Sequence, residues 1–381
     1  MRALFVVTED WYFASHRLAL GRALRERGWR VGVACRRSAL AKELEAEGIE
    51  VVQVSWRRGS VEPVGELATI ARLVRVLRQW QPELVHCVAL KPVVYGAIAM
   101  RLAGYRGPRV HAVAGMGFSF TSDGMAAHAL RRVVEQGLKA ALTGPRTQVI
   151  VQNPEDWAAL AALVPQAEGS IRLIRGSGVD VVALQPLPEP QDEPIRCALV
   201  ARLLREKGVV EAVEAARRLL AEGVPARIVL VGAPDPENPG SVREADLQGW
   251  VREGVVEWWG HVSDIASVWA RCHVAILPTY YREGLPKALL EAAACGRPLV
   301  ASDVPGCREI VRPGETGLLV PPRDPTALAQ AIRRLVEDPA LRRGLGAGAR
   351  AVVETGFAVE RIVAETLAVY RELVGPERLP D

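Results

Sequence analysis

No C-x-x-C pair joins the six cysteines, Cys35, Cys87, Cys197, Cys272, Cys295 and Cys307, and none sits beside clustered histidines. Zinc-ligand spacing and a thioredoxin-like redox pair are thereby excluded, and buried free thiols in a reducing compartment are expected. No stretch of eighteen residues is free of charge and polar breaks, so a membrane-spanning helix is not expected. The opening apolar run, Met1–Val7, is too short for a signal peptide and soon meets Glu9 and Asp10; it reads as a first β-strand. That strand leads into Thr8-Glu9-Asp10-Trp11-Tyr12-Phe13, without the G-x-G-x-x-G of a dinucleotide site. Neither G-x-x-x-x-G-K-[ST] nor G-x-S-x-G occurs anywhere, which removes P-loop NTPases and nucleophile-elbow hydrolases.

What is present is enough for two cores. The chain has 381 residues, 49% of them hydrophobic, more than one compact domain usually holds. The net charge of +4 is unevenly spread. Residues 1–182 carry 24 Lys and Arg against 16 Asp and Glu, a net of +8, whereas 183–381 carry 24 against 28, a net of −4. A basic first half suits an anionic partner, such as a phospholipid surface or a diphosphate-bearing acceptor.

Short β-branched runs alternate with helical patterns. In the first half the strands are expected near residues 3–7, 30–34, 50–54, 84–87, 109–112, 147–151 and 170–174, with helices at 16–27, 63–80 and 126–142. In the second they fall near 195–201, 227–231, 255–258, 274–277, 298–301 and 317–320, with helices at 207–221, 263–271, 287–295 and 326–335. Such alternation implies right-handed βαβ units and parallel sheets covered on both faces. Four prolines between Leu184 and Pro194 interrupt the rhythm, and predict a linker over 183–194. The expected organisation is an α/β chain of two Rossmann-like domains, 1–182 and 195–357, with a cleft between them. A helix over 358–381 is expected to pack back on the first domain. Ligands of such sheets bind beyond the carboxyl ends of the strands.

One of those strand ends carries the densest chemistry. After the strand Val274–Leu277 comes Pro278-Thr279-Tyr280-Tyr281-Arg282-Glu283-Gly284-Leu285-Pro286, then the helix from Lys287 to Cys295. Pro286 suits the first helical turn, and the helix start offers backbone N–H groups to an anion. Gly284 lets the chain pass close to a ligand. Glu283 stands at the helix mouth, and Glu291 lies two turns in, roughly 9 Å along the axis at about 1.5 Å per residue. That span suits one carboxylate on a sugar hydroxyl and another on a ribose diol. A second strand end supplies Arg202 and Lys207, two cations able to neutralise a diphosphate and its leaving-group charge. The loop Trp259-Gly260-His261-Val262-Ser263-Asp264 follows a third strand and could border a base.

Together these segments, with Asp303–Glu309 and Gly314–Val320, resemble in order and spacing the C-terminal half of the GT-B glycosyltransferases of family 4. The resemblance spans more than 130 residues. It implies a retaining, metal-independent transfer from a nucleotide sugar, with no cofactor. Glu283 would hold the transferred sugar, Arg202 and Lys207 the diphosphate, and Glu291 the ribose. Gly284, Leu285 and Pro286 would complete the sugar and phosphate site, and His261 and Val262 the donor site.

The stretch Trp11–Leu20 resembles the subset of that family building bacterial surface polysaccharide and lipid-linked oligosaccharide. That subset implies a UDP-sugar donor, an N-acetylhexosamine or hexose, and a saccharide acceptor on polyprenyl diphosphate. His16 and the glycine loop Gly115-Met116-Gly117 are the acceptor-side candidates, with no dedicated base required, since the departing phosphate can take the acceptor proton. Arg131, Arg132 and Lys139 in a basic amphipathic helix, with Trp56-Arg57-Arg58, suit a peripheral contact with an anionic membrane. The chain is therefore expected in the cytoplasm, at the inner face of the membrane, without nucleic-acid partners. A sugar-nucleotide 2-epimerase of the same fold is the alternative activity, and a non-catalytic nucleotide-sugar-binding subunit a third reading.

Overall fold

A computed structural model describes residues 1–56, 63–115 and 125–379. Its contacts divide the chain into two units, Met1–Ser177 with Glu360–Asp381, and Gly178–Val359.

The first unit is built on seven parallel strands: β1 (Arg2–Glu9), β2 (Arg30–Arg36), β3 (Ile49–Gln53), β4 (Leu84–Val88), β5 (Arg109–Val113), β6 (Thr147–Val151) and β7 (Ile171–Leu173). Their order is β3-β2-β1-β4-β5-β6-β7. The register, Phe5 opposite Val33 and His86 and His86 opposite Val110, sends alternate residues to opposite faces. Ala3, Phe5 and Val7 enter one core with Leu24, Ile49 and the C-terminal helix; Leu4 and Val6 enter the other with Leu73, Val93 and Leu138. Continuous apolar runs are what a strand buried on both faces requires.

The C-terminal helix, Val359–Val374, belongs to this first unit from Glu360 onward, with Ile362, Leu367, Val369 and Tyr370 in its core. The Tyr370 hydroxyl pairs with Nδ1 of the buried His86 on β4. Burial holds His86 well below the usual histidine range, with Arg17 adding to the effect.

The second unit repeats the plan with β8 (Ile195–Val200), β9 (Ala226–Val231), β10 (Val256–Gly260), β11 (Val274–Leu277), β12 (Leu299–Ser302) and β13 (Gly317–Val320). Here the order is β10-β9-β8-β11-β12-β13, again all parallel. Its helices carry local stop and start signals. Asp324 caps Pro325–Glu337 by accepting the Ala327 N–H at 2.9 Å, and Asp338 caps Pro339–Gly356 through the Leu341 N–H at 2.8 Å.

Three expectations need correction. The proline-rich stretch 183–194 lies inside the second unit, and the boundary falls at Ser177 and Gly178. Proline lacks an N–H but keeps its carbonyl, and those carbonyls are taken up. Arg297 Nη2 donates to Pro188 O at 2.7 Å, His273 Nε2 pairs with Pro190 O at 3.1 Å, and Arg350 Nη1 donates to Leu184 O at 2.6 Å. The helix expected over 16–27 runs Leu18–Glu26, and a separate helix that was not expected, Asp10–His16, precedes it across Arg17. The helix expected from Lys207 starts at Val209, after a 3-10 turn Arg205–Lys207 and a left-handed Gly208 (φ 79°).

Candidate active site

In both sheets the chain order reverses beside the first strand, between β1 and β4 and between β8 and β11. Such switch points open a crevice at the carboxyl ends, where ligands of doubly wound sheets bind. In the second unit the loops after β8 and β11 are stitched together there. Glu206 O accepts the N–H groups of Tyr280 (3.1 Å) and Tyr281 (3.3 Å) and the Thr279 hydroxyl (2.8 Å). A Cβ on Gly208 would collide with the carbonyl oxygen of Pro278, so only glycine lets the two loops approach so closely.

That approach sets Lys207 against Glu283. Lys207 Nζ lies 2.5 Å from Glu283 Oε1, and the Thr279 hydroxyl, whose single hydrogen is shared with the nearer Glu206 O, reaches the same oxygen at 3.1 Å. The pair is largely desolvated, with 18% and 9% side-chain exposure, and the ammonium also lies 5.5 Å from the Tyr281 ring centroid. Burying opposite charges together is tolerable because their mutual attraction and the Thr279 hydrogen bond offset part of the desolvation penalty. Underneath, Gly306 packs against the carbonyls of Glu283 and Gly284, where no Cβ would fit.

Arg202, at the end of β8, donates from Nη1 to Asp235 Oδ2 at 2.8 Å. Asp235 follows β9 and is buried, whereas the Arg202 side chain is 44% exposed, leaving its other donors toward solvent. Glu291 lies on the helix Lys287–Ala294, with Lys287 Nζ 3.4 Å from its Oε1. Burial raises its carboxyl above the usual glutamate range, and Lys287 offsets part of the rise. Pro286 is the residue just before this helix and not within its first turn. Gly284 and Pro286 are buried, Leu285 half-buried. His261 is exposed and Val262 half-buried, directly after β10.

The loops after β8, β10 and β11 thus carry Arg202, Lys207, His261, Val262 and Glu283–Pro286 at one carboxyl edge, with Glu291 five residues into the helix that leaves it. Sequence reasoning missed Asp235, Thr279, Lys287 and Arg323. Arg323 follows β13 in a left-handed conformation (φ 60°), its guanidinium 4.3 Å from the Tyr280 ring centroid. Lys287 was legible as an i,i+4 partner of Glu291; Asp235 had no local signal. Among the described residues no group of three or more His, Cys, Asp or Glu could hold a metal ion.

In the first unit His16 ends the helix after β1, its ring stacked on Tyr12 at 4.3 Å with Nδ1 3.3 Å from Tyr12 O. Gly115 follows β5, buried, with φ 89°; Met116 and Gly117 lie outside the described residues, as do Arg57 and Arg58. Both placed residues occupy the carboxyl edge, with β4 between their strands. The loop after β4 adds two features the sequence reading passed over. Ala89 is left-handed (φ 76°), and Lys91 Nζ lies 2.7 Å from Glu66 Oε1, beside Tyr95.

Two all-parallel sheets of this strand order, with cations and carboxylates along the second carboxyl edge, define the two-Rossmann-domain architecture of GT-B glycosyltransferases. Comparison with known proteins agrees. Residues 194–338 match the family described as "Glycosyl transferases group 1" and residues 2–153 "Glycosyl transferase 4-like", well over half the chain together. The N,N'-diacetylbacillosaminyl-diphospho-undecaprenol alpha-1,3-N-acetylgalactosaminyltransferase of Campylobacter jejuni is 28% identical, over 87% of this chain and 89% of its own. The putative glycosyltransferase EpsD of Bacillus subtilis is also 28% identical, over 97% and 96%. Among solved structures, sucrose-phosphate synthase from Thermosynechococcus elongatus superposes with a TM-score of 0.80 at 24% identity, covering 98% of this chain and 99% of that one. Anabaena HepE, crystallised with UDP, superposes at 0.75 and 22% identity, covering 98% and 100%. The chain belongs to the group 1, family 4-like glycosyltransferases and has their GT-B fold.

Proposed function

We propose that the protein transfers a hexose or N-acetylhexosamine from a UDP-sugar to a saccharide acceptor, lipid-linked or polysaccharide, with retention at the anomeric carbon. The observation that carries this reading is the desolvated Lys207–Glu283 pair at the switch point of the second unit. An ammonium and the exposed Arg202 guanidinium meet a diphosphate and stabilise the charge that grows on it as the glycosidic bond breaks. Glu283, held by Lys207 and Thr279, receives a hydroxyl of the sugar being moved. The departing phosphate oxygen takes the proton of the acceptor hydroxyl, so no separate base is needed. Glu291 accepts from the ribose hydroxyls. Because Arg202 and Lys207 supply the charge a metal would otherwise bring, transfer is expected to persist in a chelator.

The acceptor falls to the first unit, through His16, Gly115-Met116-Gly117 and Lys91. The Campylobacter relative is named for a diphospho-undecaprenol-linked substrate, and the net charge of +8 over residues 1–182 suits an anionic lipid surface. Arg132 and Lys139, both exposed on the helix Met125–Leu142, suit a peripheral contact at the inner membrane face. Among the described residues no helix is long and apolar enough to cross a membrane.

Incubation with labelled UDP-, GDP- and ADP-sugars and a lipid-linked acceptor extract tests the reading. Labelled lipid and free UDP are expected; an epimerised sugar nucleotide formed without acceptor would overturn it. Glu291 adds a pH signature. Its folded carboxyl titrates above the ordinary glutamate range, and only the ionised form offers both oxygens as acceptors to the two hydroxyls of a ribose diol. UDP affinity should therefore fall as pH drops through that raised value, while Glu291→Gln binds weakly but without this dependence. An unchanged pH profile in the variant would remove Glu291 from the donor site.

A further inference from the structure

Four arginines, Arg78, Arg106, Arg146 and Arg378, line a cavity of about 330 Å³ in the first unit. It sits at the amino-terminal edge of the sheet. Glu83, Pro108 and Arg146, all in its wall, immediately precede β4, β5 and β6. The candidate acceptor residues of this unit, His16 and Gly115, follow β1 and β5 at the other end of the strands.

The one acidic group in the wall is already engaged. Glu83 Oε2 accepts the Arg2 backbone N–H at 2.7 Å and Arg2 Nε at 3.4 Å. Two of the arginines use one nitrogen each on helix-end carbonyls, Arg78 Nη2 on Leu102 O and Arg146 Nη2 on Leu373 O, both at 3.0 Å. Ordinary helix capping accounts for those two contacts. It leaves the remaining donors of both guanidinium groups, and it does not account for Arg106 or Arg378. Neither of these forms a side-chain hydrogen bond or ion pair with a described residue, and all four side chains reach solvent.

The backbone marks the same place. Among the described residues, four other than glycine have a left-handed φ: Gln81, Ala89, Arg146 and Arg323. Ala89 and Arg323 follow β4 and β13, on the carboxyl edges that carry the site described above. Gln81 (φ 47°) and Arg146 (φ 55°) both line this cavity. A residue with a Cβ pays free energy for that conformation, and such residues collect where ligands bind.

We propose that this cavity is a second anion site, which takes a phosphate-bearing ligand away from the catalytic edge. Guanidinium forks match phosphate oxygens two at a time, which single ammonium groups cannot do. The volume is at the small end of ligand pockets, suited to a phosphorylated head and not to a whole nucleotide sugar. Leu373 O and Arg378 belong to the C-terminal segment, so occupancy would tie that segment to the loops before β4, β5 and β6.

The test titrates the full chain with inorganic triphosphate, following heat and amide hydrogen exchange, and pairs it with vesicle co-sedimentation. Arg106→Ala/Arg378→Ala removes two exposed side chains and should fold normally, checked by an unchanged Tm without ligand. It is expected to weaken triphosphate binding roughly tenfold or more, whereas Arg202→Ala, on the catalytic edge, retains it. Protection should appear at residues 104–108 and 375–379, in wild type and in Arg202→Ala alike. Co-sedimentation with phosphatidylglycerol vesicles, absent with phosphatidylcholine and lost in the double variant, would assign the phosphate to a lipid headgroup; triphosphate binding without it assigns a soluble ligand. The proposal fails if the double variant binds both probes like wild type, or if Arg202→Ala abolishes all binding and protection is confined to residues 201–208 and 278–286.

Discussion

Glu283→Gln is expected to lower turnover by about two to three orders of magnitude, while UDP binds at least as tightly as to wild type. The split follows from what the carboxylate faces. Glu283 is 7% exposed, and its Oε1 carries both the Lys207 ammonium at 2.5 Å and the Thr279 hydroxyl at 3.1 Å. Glutamine has the same shape and keeps the Thr279 bond, but its charge is gone. Lys207, only 18% exposed, then loses its counter-ion, which costs stability as any broken buried pair does, about 3–5 kcal/mol, but makes the site more positive and so favours a diphosphate. Binding of the nucleotide is spared, and what is lost is the carboxylate that holds the sugar in the transition state. Lys207→Met should do the opposite. It leaves a buried carboxylate uncompensated, at a cost of about 3–5 kcal/mol for the broken pair, and repels the donor, so UDP affinity collapses with turnover. Isothermal titration with UDP beside initial transfer rates reads both effects. Normal transfer by Glu283→Gln would end the assignment, and loss of UDP binding in that variant would make Glu283 a structural residue.

Much of this site could be read from sequence because a strand end followed by a helix is a local feature. Arg202, Lys207 and Glu283 lie in the loops that leave β8 and β11, Glu291 in the helix that follows the second of those loops, and parallel topology carries both loops to one edge. Their partners are another matter. Asp235 is 33 residues from Arg202 and reaches it only because β9 lies beside β8. Glu283 lies 76 residues from Lys207, so that their charges neutralise each other depends on Gly208 touching Pro278. The proline-rich stretch misled for a related reason. Four prolines say that a segment cannot join a helix or an inner strand, which composition alone reads as a linker. Whether its carbonyls are solvated or held depends on Arg297 and Arg350, more than a hundred residues further on.

Acidification below pH 6.5 is expected to destabilise the protein, and His111 supplies much of that loss. The residue sits on β5, fully buried, and neither ring nitrogen has a hydrogen-bond partner among the described residues. Burial, helped by the neighbouring Arg109 charge, pushes its pKa down to about 3. In the unfolded chain it returns to about 6.5. Between those values the unfolded state holds a proton that the folded state refuses, so stability rises with pH through the window and is fully present only above it. Each unit within the window is worth about 1.4 kcal/mol, on the order of 5 kcal/mol across it, a large share of the 5–15 kcal/mol that holds a typical domain together. His86 adds to the slope with the same sign, its own pKa lowered by burial and Arg17. Comparing His111→Leu with wild type isolates one residue, because all other titrations cancel in the difference. Urea unfolding should find the variant close to wild type near pH 7.5 and about 2 kcal/mol ahead of it at pH 5, one proton's worth of slope having been removed. Parallel stability curves for the two proteins would mean that His111 finds a proton acceptor in the folded chain.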